Sequence, residues 1–189
     1  MVLPQENKLT YAEYLKLDND IQYEVIDGHI YDMAPSPNVK HQSIAMELAT
    51  EFNMFFRNQS CRVISEIDVC LWGKKDPSEV NEWVKPDIVI VCDKEKIMKN
   101  HIAGAPELIV EILSKSTAKM DKMIKFNCYQ KAGVNEYWIV DPAHETVDVY
   151  VLENEYYKHV GTFTNDEVIN VTSFENLSIN LKHVFREDF

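Results

Sequence analysis

The sequence predicts a single domain of mixed α and β structure around a largely buried central sheet. The chain has 189 residues, of which 46% are hydrophobic and 26% are charged, and this composition suits one ordinary globular core. Segments of continuous or alternating apolar residues are interspersed with segments of helical spacing, a pattern typical of α+β or mixed α/β proteins. The sequence contains no linker, internal repeat or low-complexity tract, so residues 1–189 are assigned to one domain.

The first third of the chain predicts a helix, a hairpin and a second helix. Thr10-Tyr-Ala-Glu13 is a capping-box pattern and indicates a short helix through about Leu17. The segment YEVIDGHIYDM predicts a β-hairpin, because Asp27-Gly28 between alternating apolar residues favours a tight turn. A helix from about Pro37 to Asn58 is indicated by apolar residues at every third or fourth position: Ile44, Leu48, Phe52 and Phe55.

The rest of the chain is dominated by predicted strands. Three apolar segments have the character of buried strands: CRVISEIDVCLW, PDIVIVC and ELIVEIL. Ser116 or Thr117 can cap the helix that follows, which runs to about Ala132 and stops at Gly133. EYWIVDP predicts another strand, and TVDVYVL with EYYKHVGTF predicts a C-terminal antiparallel extension.

Charge, cysteines and histidines limit the classes of function. The net charge of −12 opposes nonspecific binding to nucleic acid, so any positive charge that contacts phosphate has to be local. The four cysteines form no CxxC pair, and we expect all of them to be reduced core residues: Cys61, Cys70, Cys92 and Cys128. The histidines lack the spacing of a zinc site. We expect a cytoplasmic protein without a membrane partner, because the chain shows neither a spanning apolar run nor a signal-peptide pattern.

Two carboxylates interrupt the apolar strands. Asp87 opens the strand DIVIVC, and Glu111 lies between Val110 and Ile112. If these strands are neighbours, both carboxylates can converge at one edge of the sheet, where they would repel each other unless they share a proton or a metal ion. Hard oxygen ligands suit Mg²⁺. The alternative is that Asp87 caps a turn and Glu111 faces solvent.

The helical segment 115–131 is rich in lysine. It contains one acid, Asp121, and five lysines: Lys115, Lys119, Lys122, Lys125 and Lys131. Helical spacing places Asp121, Lys125 and Tyr129 on one face, and we expect the core-facing side to consist of Met120, Met123, Ile124 and Cys128. Lys125 can therefore face the end of the Glu111 strand. The alternative is a solvated helix face on which Asp121 and Lys125 form an ordinary surface ion pair.

Pro86-Asp87 followed by Glu111-Ile112-Leu113 resembles the PD-(D/E)XK motif of restriction-endonuclease-like nucleases. From about Thr10 to Phe185 the chain is similar to the Uma family of these proteins, most specifically between Glu107 and Pro142. The segments that carry this resemblance are YEVIDGHIYDM, SPNVKH, KPDIVIV, APELIVEILSKST and DKMIKFNCYQKAGVNEYWIVDP. The resemblance implies a restriction-endonuclease-like mixed sheet flanked by helices, with a site at one edge, and it implies a homodimer.

The resemblance also implies roles for individual residues. The motif's lysine would stand at position 113, which is Leu113 here, and the matching lysine of similar proteins is Lys125. The predicted ligands of Mg²⁺ or Mn²⁺ are Asp87, Glu111 and the carbonyl of Ile112. The predicted catalytic residues are Asp87, Glu111, Lys125 and Glu24, and the predicted substrate-binding residues are Lys122, Lys119, His41 and Tyr129. Lys122 is the second candidate for the motif's lysine.

Three functions follow as hypotheses. The first is a metal-dependent nuclease that hydrolyses phosphodiester bonds of nucleic acid, with DNA as the favoured substrate. The second is a catalytically inactive interaction protein on a nuclease fold, because fold similarity does not establish function. The third is a hydrolase of small phosphate esters that uses the same site. The nuclease hypothesis requires the ammonium group of Lys125 to lie within about 6 Å of Asp87 or Glu111.

Overall fold

The computed structural model describes residues 9–17, 22–33 and 38–186. The helices are α1 (Tyr11–Tyr14), α2 (Val39–Phe56), α3 (Phe126–Ala132) and α4 (Leu181–Val184), with a 3₁₀ turn at Lys94–Lys96 and a π-helical segment at Met120–Lys125 that runs directly into α3. Within the described ranges, no helix combines the length and the apolar character that crossing a bilayer requires.

Within the described residues, the strands form one large sheet and three small ones. They are β1 (Tyr23–Ile26), β2 (His29–Asp32), β3 (Arg62–Ser65), β4 (Asp68–Cys70), β5 (Ile88–Val91), β6 (His101–Ala103), β7 (Leu108–Ile112), β8 (Glu136–Asp141), β9 (Thr146–Glu153), β10 (Tyr156–Thr164), β11 (Val168–Asn170) and β12 (Ser178–Asn180). The large sheet has the order β10-β9-β8-β7-β5-β3, in which β7 and β8 are parallel and the other neighbours are antiparallel. Two-stranded sheets are formed by β1 with β2, β4 with β6, and β11 with β12. The predicted mixed central sheet is confirmed.

Local sequence signals explain the first elements. Thr10 and Glu13 form the predicted reciprocal capping box at the start of α1. The predicted hairpin is β1–β2, and both of its turn residues have positive φ, 49° at Asp27 and 75° at Gly28. Asn38 caps α2 by accepting a hydrogen bond from the backbone N–H of His41. Pro37, the predicted first residue of this helix, lies outside the described residues.

The two faces of the large sheet pack against different layers. α2 covers one face with Ile44, Leu48, Phe52 and Phe56, which join a core cluster that includes Val110 and Ile112 of β7. The π-helical segment and α3 cover the other face, where the core cluster includes Ile109, Leu113, Tyr129 and Tyr137. Because successive strand residues point to opposite faces, Glu111 lies on the α3 side of the sheet.

Two predictions about the region around residues 61–92 are wrong. The segment CRVISEIDVCLW forms two strands in different sheets rather than one, because Glu66 has a positive φ of 51° and interrupts the extended chain. Two of the four cysteines, Cys61 and Cys92, form a disulfide. They can pair because Arg62 lies opposite Val91 in this antiparallel pair of strands. Cys61, just before Arg62, therefore lies beside Cys92, just after Val91. Cys70 and Cys128 are free and buried, as expected.

Candidate active site

The sheet brings Asp87 and Glu111 together. Ile88 of β5 pairs with Val110 of β7 in an antiparallel ladder, and continuing this register by one residue places Asp87 opposite Glu111. Directly opposite residues of an antiparallel pair point to the same face. The backbone N–H of Ile112 donates a hydrogen bond of 2.7 Å to Oδ2 of Asp87, which fixes the orientation of that carboxylate.

Glu111 is buried, and one of its two carboxylate oxygens accepts two hydrogen bonds. Its exposure is only 3%, so the alternative that it faces solvent is excluded. Oε1 of Glu111 accepts a hydrogen bond of 3.0 Å from Nζ of Lys125 and one of 2.6 Å from the hydroxyl of Tyr129. A carboxylate inside this sheet is therefore stabilised by a cation supplied by the protein itself.

Lys125 lies among three carboxylates that come from three different elements. Its Nζ is 2.7 Å from Glu24 of the β1–β2 hairpin, 3.0 Å from Glu111 of β7 and 3.8 Å from Asp121 in the π-helical segment. Oε1 of Glu24 also accepts a hydrogen bond of 2.7 Å from the backbone N–H of Lys85. Lys125 is buried, so the Asp121–Lys125 pair is not a surface ion pair. Lys125 meets the distance that the nuclease hypothesis requires.

The π-helical segment determines which residues of this helix face the sheet. The backbone N–H of Phe126 donates to the carbonyl of Asp121, five residues earlier, as in a π-turn. The wider turn changes the helix faces, and Met123 is 57% exposed. The prediction that Met123 faces the core is therefore wrong. The helix is also capped earlier than predicted, because Oγ of Ser114 accepts a hydrogen bond from the backbone N–H of Thr117.

The cluster carries more negative charge than one ammonium group can balance. Burial raises the pKa of Glu111 well above its usual range, although Lys125 opposes the shift. Burial also raises the pKa of Asp121 to about 6, again opposed by Lys125. Burial alone would lower the pKa of Lys125, but the carboxylates of Glu111, Glu24 and Asp121 outweigh it and raise the pKa well above its usual range. A site with this excess of carboxylates favours an additional proton or cation.

His41 reaches the same place from the opposite layer. It lies in the first turn of α2 and is 7% exposed, with Nε2 at 3.4 Å from Oδ2 of Asp87. Burial by itself lowers the pKa of His41, but the Asp87 carboxylate and the Ile112 carbonyl, with a contribution from Glu66, raise it overall. The other ring nitrogen, Nδ1, is buried without a hydrogen-bond partner in the described structure.

The remaining predicted substrate contacts divide into two groups. Lys119 and Lys122 are exposed on the helical segment that carries Lys125, so their ammonium groups are available to an external phosphate. The prediction for Tyr129 as a substrate contact is corrected, because its side chain is fully buried and its hydroxyl is used by Glu111. Tyr129 positions a carboxylate instead.

Sequence reasoning did not assign a role to Asp121, although it placed this residue on the Lys125 face. The spacing of four residues between Asp121 and Lys125 was the available signal. The Asp121 backbone carbonyl accepts a hydrogen bond from the buried hydroxyl of Tyr137, and this contact gave no sequence signal because the two residues come from different elements.

The donor groups fit a hard divalent cation that keeps several waters. In the described part of the chain, no three His, Cys, Asp or Glu side chains are gathered closely enough to form a complete metal centre. Mg²⁺ needs only one or two protein carboxylates. Hydrogen bonds between described residues use Oδ2 of Asp87 and Oε1 of Glu111, so one oxygen of each carboxylate lacks such a bond.

Comparisons with known proteins identify the family of this chain and several proteins that are similar to it. The model of the Uma2 family, described as "Putative restriction endonuclease", matches residues 11–182. Two proteins of Synechocystis sp. are similar in sequence. The protein slr1290 is 27% identical over 147 residues, which cover 76% of this chain and 74% of slr1290. The protein sll1609 is 26% identical over 166 residues, which cover 85% of this chain and 86% of sll1609.

A crystal structure of a putative nuclease belonging to DUF820 from Anabaena variabilis has the same fold. It superposes with a TM-score of 0.73 at 24% sequence identity, covering 94% of this chain and 97% of that one. At this identity the likeness establishes the fold alone. Because the family match extends over most of the sequence and includes every residue of the carboxylate cluster, the chain belongs to the Uma2 family.

Proposed function

We propose that the protein is a metal-dependent nuclease that hydrolyses phosphodiester bonds of DNA. The family and the fold support a restriction-endonuclease-like nuclease. The observation that carries the proposal is the cluster at the edge of the large sheet, in which three carboxylates surround one buried ammonium group and a fourth, Asp87, stands beside Glu111. Such an arrangement combines ligands for a divalent cation with a fixed positive charge.

Asp87, Glu111 and the carbonyl of Ile112 would hold Mg²⁺ or Mn²⁺. A bound ion of this kind lowers the pKa of water and neutralises charge that develops on a phosphoryl group. The chain prepares its own groups for this role. The Ile112 N–H orients Asp87, and the Tyr129 hydroxyl orients Glu111. The excess negative charge of the cluster would then be offset by the ion.

Lys125 would act as a fixed positive charge. Its pKa is raised by the carboxylates around it, so the side chain remains an ammonium group at neutral pH and cannot serve as a general base. A preorganised positive charge stabilises the negative charge that a phosphate develops during hydrolysis. Glu24 and Asp121 hold this ammonium group in place from the hairpin and the helix.

The substrate would approach along the exposed lysines of the helical segment. Lys119 and Lys122 can contact flanking phosphates as point charges, and Lys115 is exposed in the turn before them. With a net charge of −12, the protein needs such a local concentration of positive charge to bind a polyanion. The homodimer implied by the family resemblance stays a prediction.

A cleavage assay tests the proposal. Purified protein is incubated with supercoiled plasmid, linear duplex, single-stranded DNA and RNA in Mg²⁺ or Mn²⁺. We expect the wild type to cleave DNA, and we expect Asp87→Asn and Lys125→Met each to reduce the rate by about 100-fold or more. The exposed Glu95→Gln serves as the matched control and should cleave like the wild type. Equal cleavage by wild type and Asp87→Asn would contradict the proposal. Metal binding without cleavage of any substrate would favour the inactive interaction protein.

A further inference from the structure

The outer face of the helical segment 115–131 carries lysines that the carboxylate cluster does not use. Asp121, the one acid of this segment, is 2% exposed and lies beside Lys125 on the side that faces the sheet. The outer face therefore has no carboxylate of its own, although the whole protein has a net charge of −12. Four of the five lysines of the segment are exposed and are called the lysine row here: Lys115, Lys119, Lys122 and Lys131.

The π-turn brings the lysines near the two ends of the helix onto one line. Lys131 follows Lys119 by twelve residues. At about 100° per residue, a regular α-helix would leave their side chains about 120° apart around the helix axis. A π-turn takes up one extra residue, which reduces this angle to about 20°. The exposure agrees, since exposed residues recur at every fourth position along the line: Lys119, Met123, Asn127 and Lys131.

The lysine row begins at the edge of the sheet that carries the candidate active site. Lys115 is three residues after Ile112, the last residue of β7, so their Cα atoms are at most about 11 Å apart. Lys119 and Lys131 are separated by about 18 Å along the helix axis, at 1.5 Å per residue, and Lys122 lies beside the line that joins them. The row is therefore a straight, rigid strip of positive charge with one end near Glu111.

The other end of the lysine row already stands against an anion. Nζ of Lys131 is 3.9 Å from Oδ2 of Asp27, at the tip of the β1–β2 hairpin. The two side chains are 61% and 72% exposed, so this ion pair contributes little to stability. A phosphate group of an incoming polyanion can therefore take the place of the Asp27 carboxylate at little cost.

We propose that the lysine row is a docking surface for the phosphate backbone of duplex DNA, and that this surface extends from the candidate active site to Lys131. The inference rests on the proposed function for the choice of DNA as the partner. Lysine ammonium groups bind phosphates as point charges, and phosphate contacts supply essentially all of the affinity in nonspecific DNA binding. A straight row of about 18 Å suits duplex DNA, which is stiff over this length.

Fluorescence anisotropy of a short labelled duplex tests the docking surface. Binding is measured in EDTA at several salt concentrations, so that cleavage does not interfere. We expect Lys131→Gln to weaken binding by about 3- to 10-fold and to reduce the slope of log affinity against log salt concentration by about 1, because one phosphate contact is lost. The matched control is Lys158→Gln in β10, whose lysine has a similar exposure and pairs with Glu153; it should bind like the wild type. Unchanged binding by Lys131→Gln would overturn the inference.

Replacing Asp27 tests the same contact with the opposite sign. We expect Asp27→Asn to strengthen DNA binding by about 2- to 5-fold, since the Lys131 ammonium group becomes available to phosphate, and to lose this effect when Lys131→Gln is also present. Asparagine before Gly28 suits this turn, so the hairpin is kept. Glu153→Gln removes the same charge beside Lys158 and should change the affinity far less. Equal gains in Asp27→Asn and Glu153→Gln would show an effect of net charge alone and would contradict the inference.

Binding and cleavage together separate this inference from the proposed function. If the wild type binds the duplex through the lysine row but cleaves no DNA in Mg²⁺ or Mn²⁺, the docking surface stands and the nuclease proposal fails. If the wild type cleaves DNA while Lys131→Gln leaves the affinity and the salt slope unchanged, the nuclease proposal stands and the docking surface fails. Tighter binding to single-stranded DNA or to RNA than to the duplex would overturn the assignment of the partner.

Discussion

Glu111 and Lys125 each explain why the other can be buried. A carboxylate or an ammonium group alone inside a protein costs several kcal/mol, and the cost falls when the two are paired with good hydrogen bonds. Here the pair is extended to Glu24, Asp121 and the Tyr129 hydroxyl. The cluster remains unbalanced, because three carboxylates share one ammonium group, and this imbalance is what a divalent cation can relieve.

Replacing the buried ammonium should destabilise the fold strongly. We expect Lys125→Met to lower the free energy of unfolding at pH 7 by about 3–5 kcal/mol, because three buried carboxylates lose their cation. Urea denaturation monitored by circular dichroism measures the change. The matched control is Lys122→Met, which removes an exposed lysine of the same helix and should change stability by about 0.5 kcal/mol or less. Similar losses in the two variants would contradict this account of the cluster.

Asp121 makes stability depend on pH in a specific direction. Burial raises its pKa from the usual 3.8 to about 6 in the folded protein. The folded state therefore binds the Asp121 proton more tightly than the unfolded state does. This contribution to stability is fully present below about pH 3.8 and is lost as the pH rises through about 6.

The variant Asp121→Asn should remove this pH dependence. We expect the wild type to lose on the order of 2–3 kcal/mol of stability between pH 4 and pH 7 through this group, and we expect the variant to lack that loss. Unfolding free energies at pH 4, 5, 6 and 7 provide the measurement. Glu175→Gln, at an exposed carboxylate away from the cluster, should keep the wild-type profile. An unchanged profile in Asp121→Asn would show that Asp121 titrates normally.

Among the elements, the π-helical segment decides the geometry of the site. A single π-turn inside an α-helix shifts every residue after it relative to the residues before it, and such turns are frequent at functional sites. Here the π-turn lies between Asp121 and Lys125, so it determines which side chains of the helix reach the sheet. It also leaves the side chain of Met123 exposed to solvent.

Deleting Met123 should convert the π-turn into a regular helical turn. We expect the deletion to separate Lys125 from Glu111 or from Asp121 and to destabilise the protein by about 3 kcal/mol or more, as removal of the ammonium group does. Met123→Ala keeps the chain length and removes only an exposed side chain, so its effect should be within about 0.5 kcal/mol. Thermal denaturation of both variants makes the comparison. Equal stability of the two would mean that the π-turn is not needed.

The elements with strong local signals were predictable. The Thr10 capping box, the Asp27-Gly28 turn and the Gly133 helix stop, with φ of 82°, all appear where the sequence placed them. The π-turn was not predictable, because MDKMIK has the composition of an ordinary helix. The short strands β6, β11 and β12 were also missed, since three residues give too little periodicity to recognise.

Across the whole molecule, the site is where all layers meet. The central sheet supplies Asp87 and Glu111, the α3 layer supplies Lys125, the N-terminal hairpin supplies Glu24, and α2 supplies His41 from the other face. The sequence indicated the sheet residues, because a carboxylate in an apolar strand is conspicuous. Contacts between distant elements, such as the Lys85 N–H that holds Glu24, depend on tertiary packing and leave no pattern in the sequence.

Calorimetric titration of Mg²⁺ and Mn²⁺ into wild type, Asp87→Ala and Glu111→Ala tests the central claim most directly, because metal binding needs no knowledge of the substrate. The variants should remain folded, since Lys125 keeps Asp121 as a partner in both, with Glu24 beside it. We predict that the wild type binds Mn²⁺ and that both variants lose about 10- to 100-fold in affinity or more, whereas Glu95→Ala matches the wild type. If wild type and both variants give the same heats, Glu111 serves to hold Lys125 and Asp87 only accepts the Ile112 N–H, and the protein is not a metal-dependent nuclease.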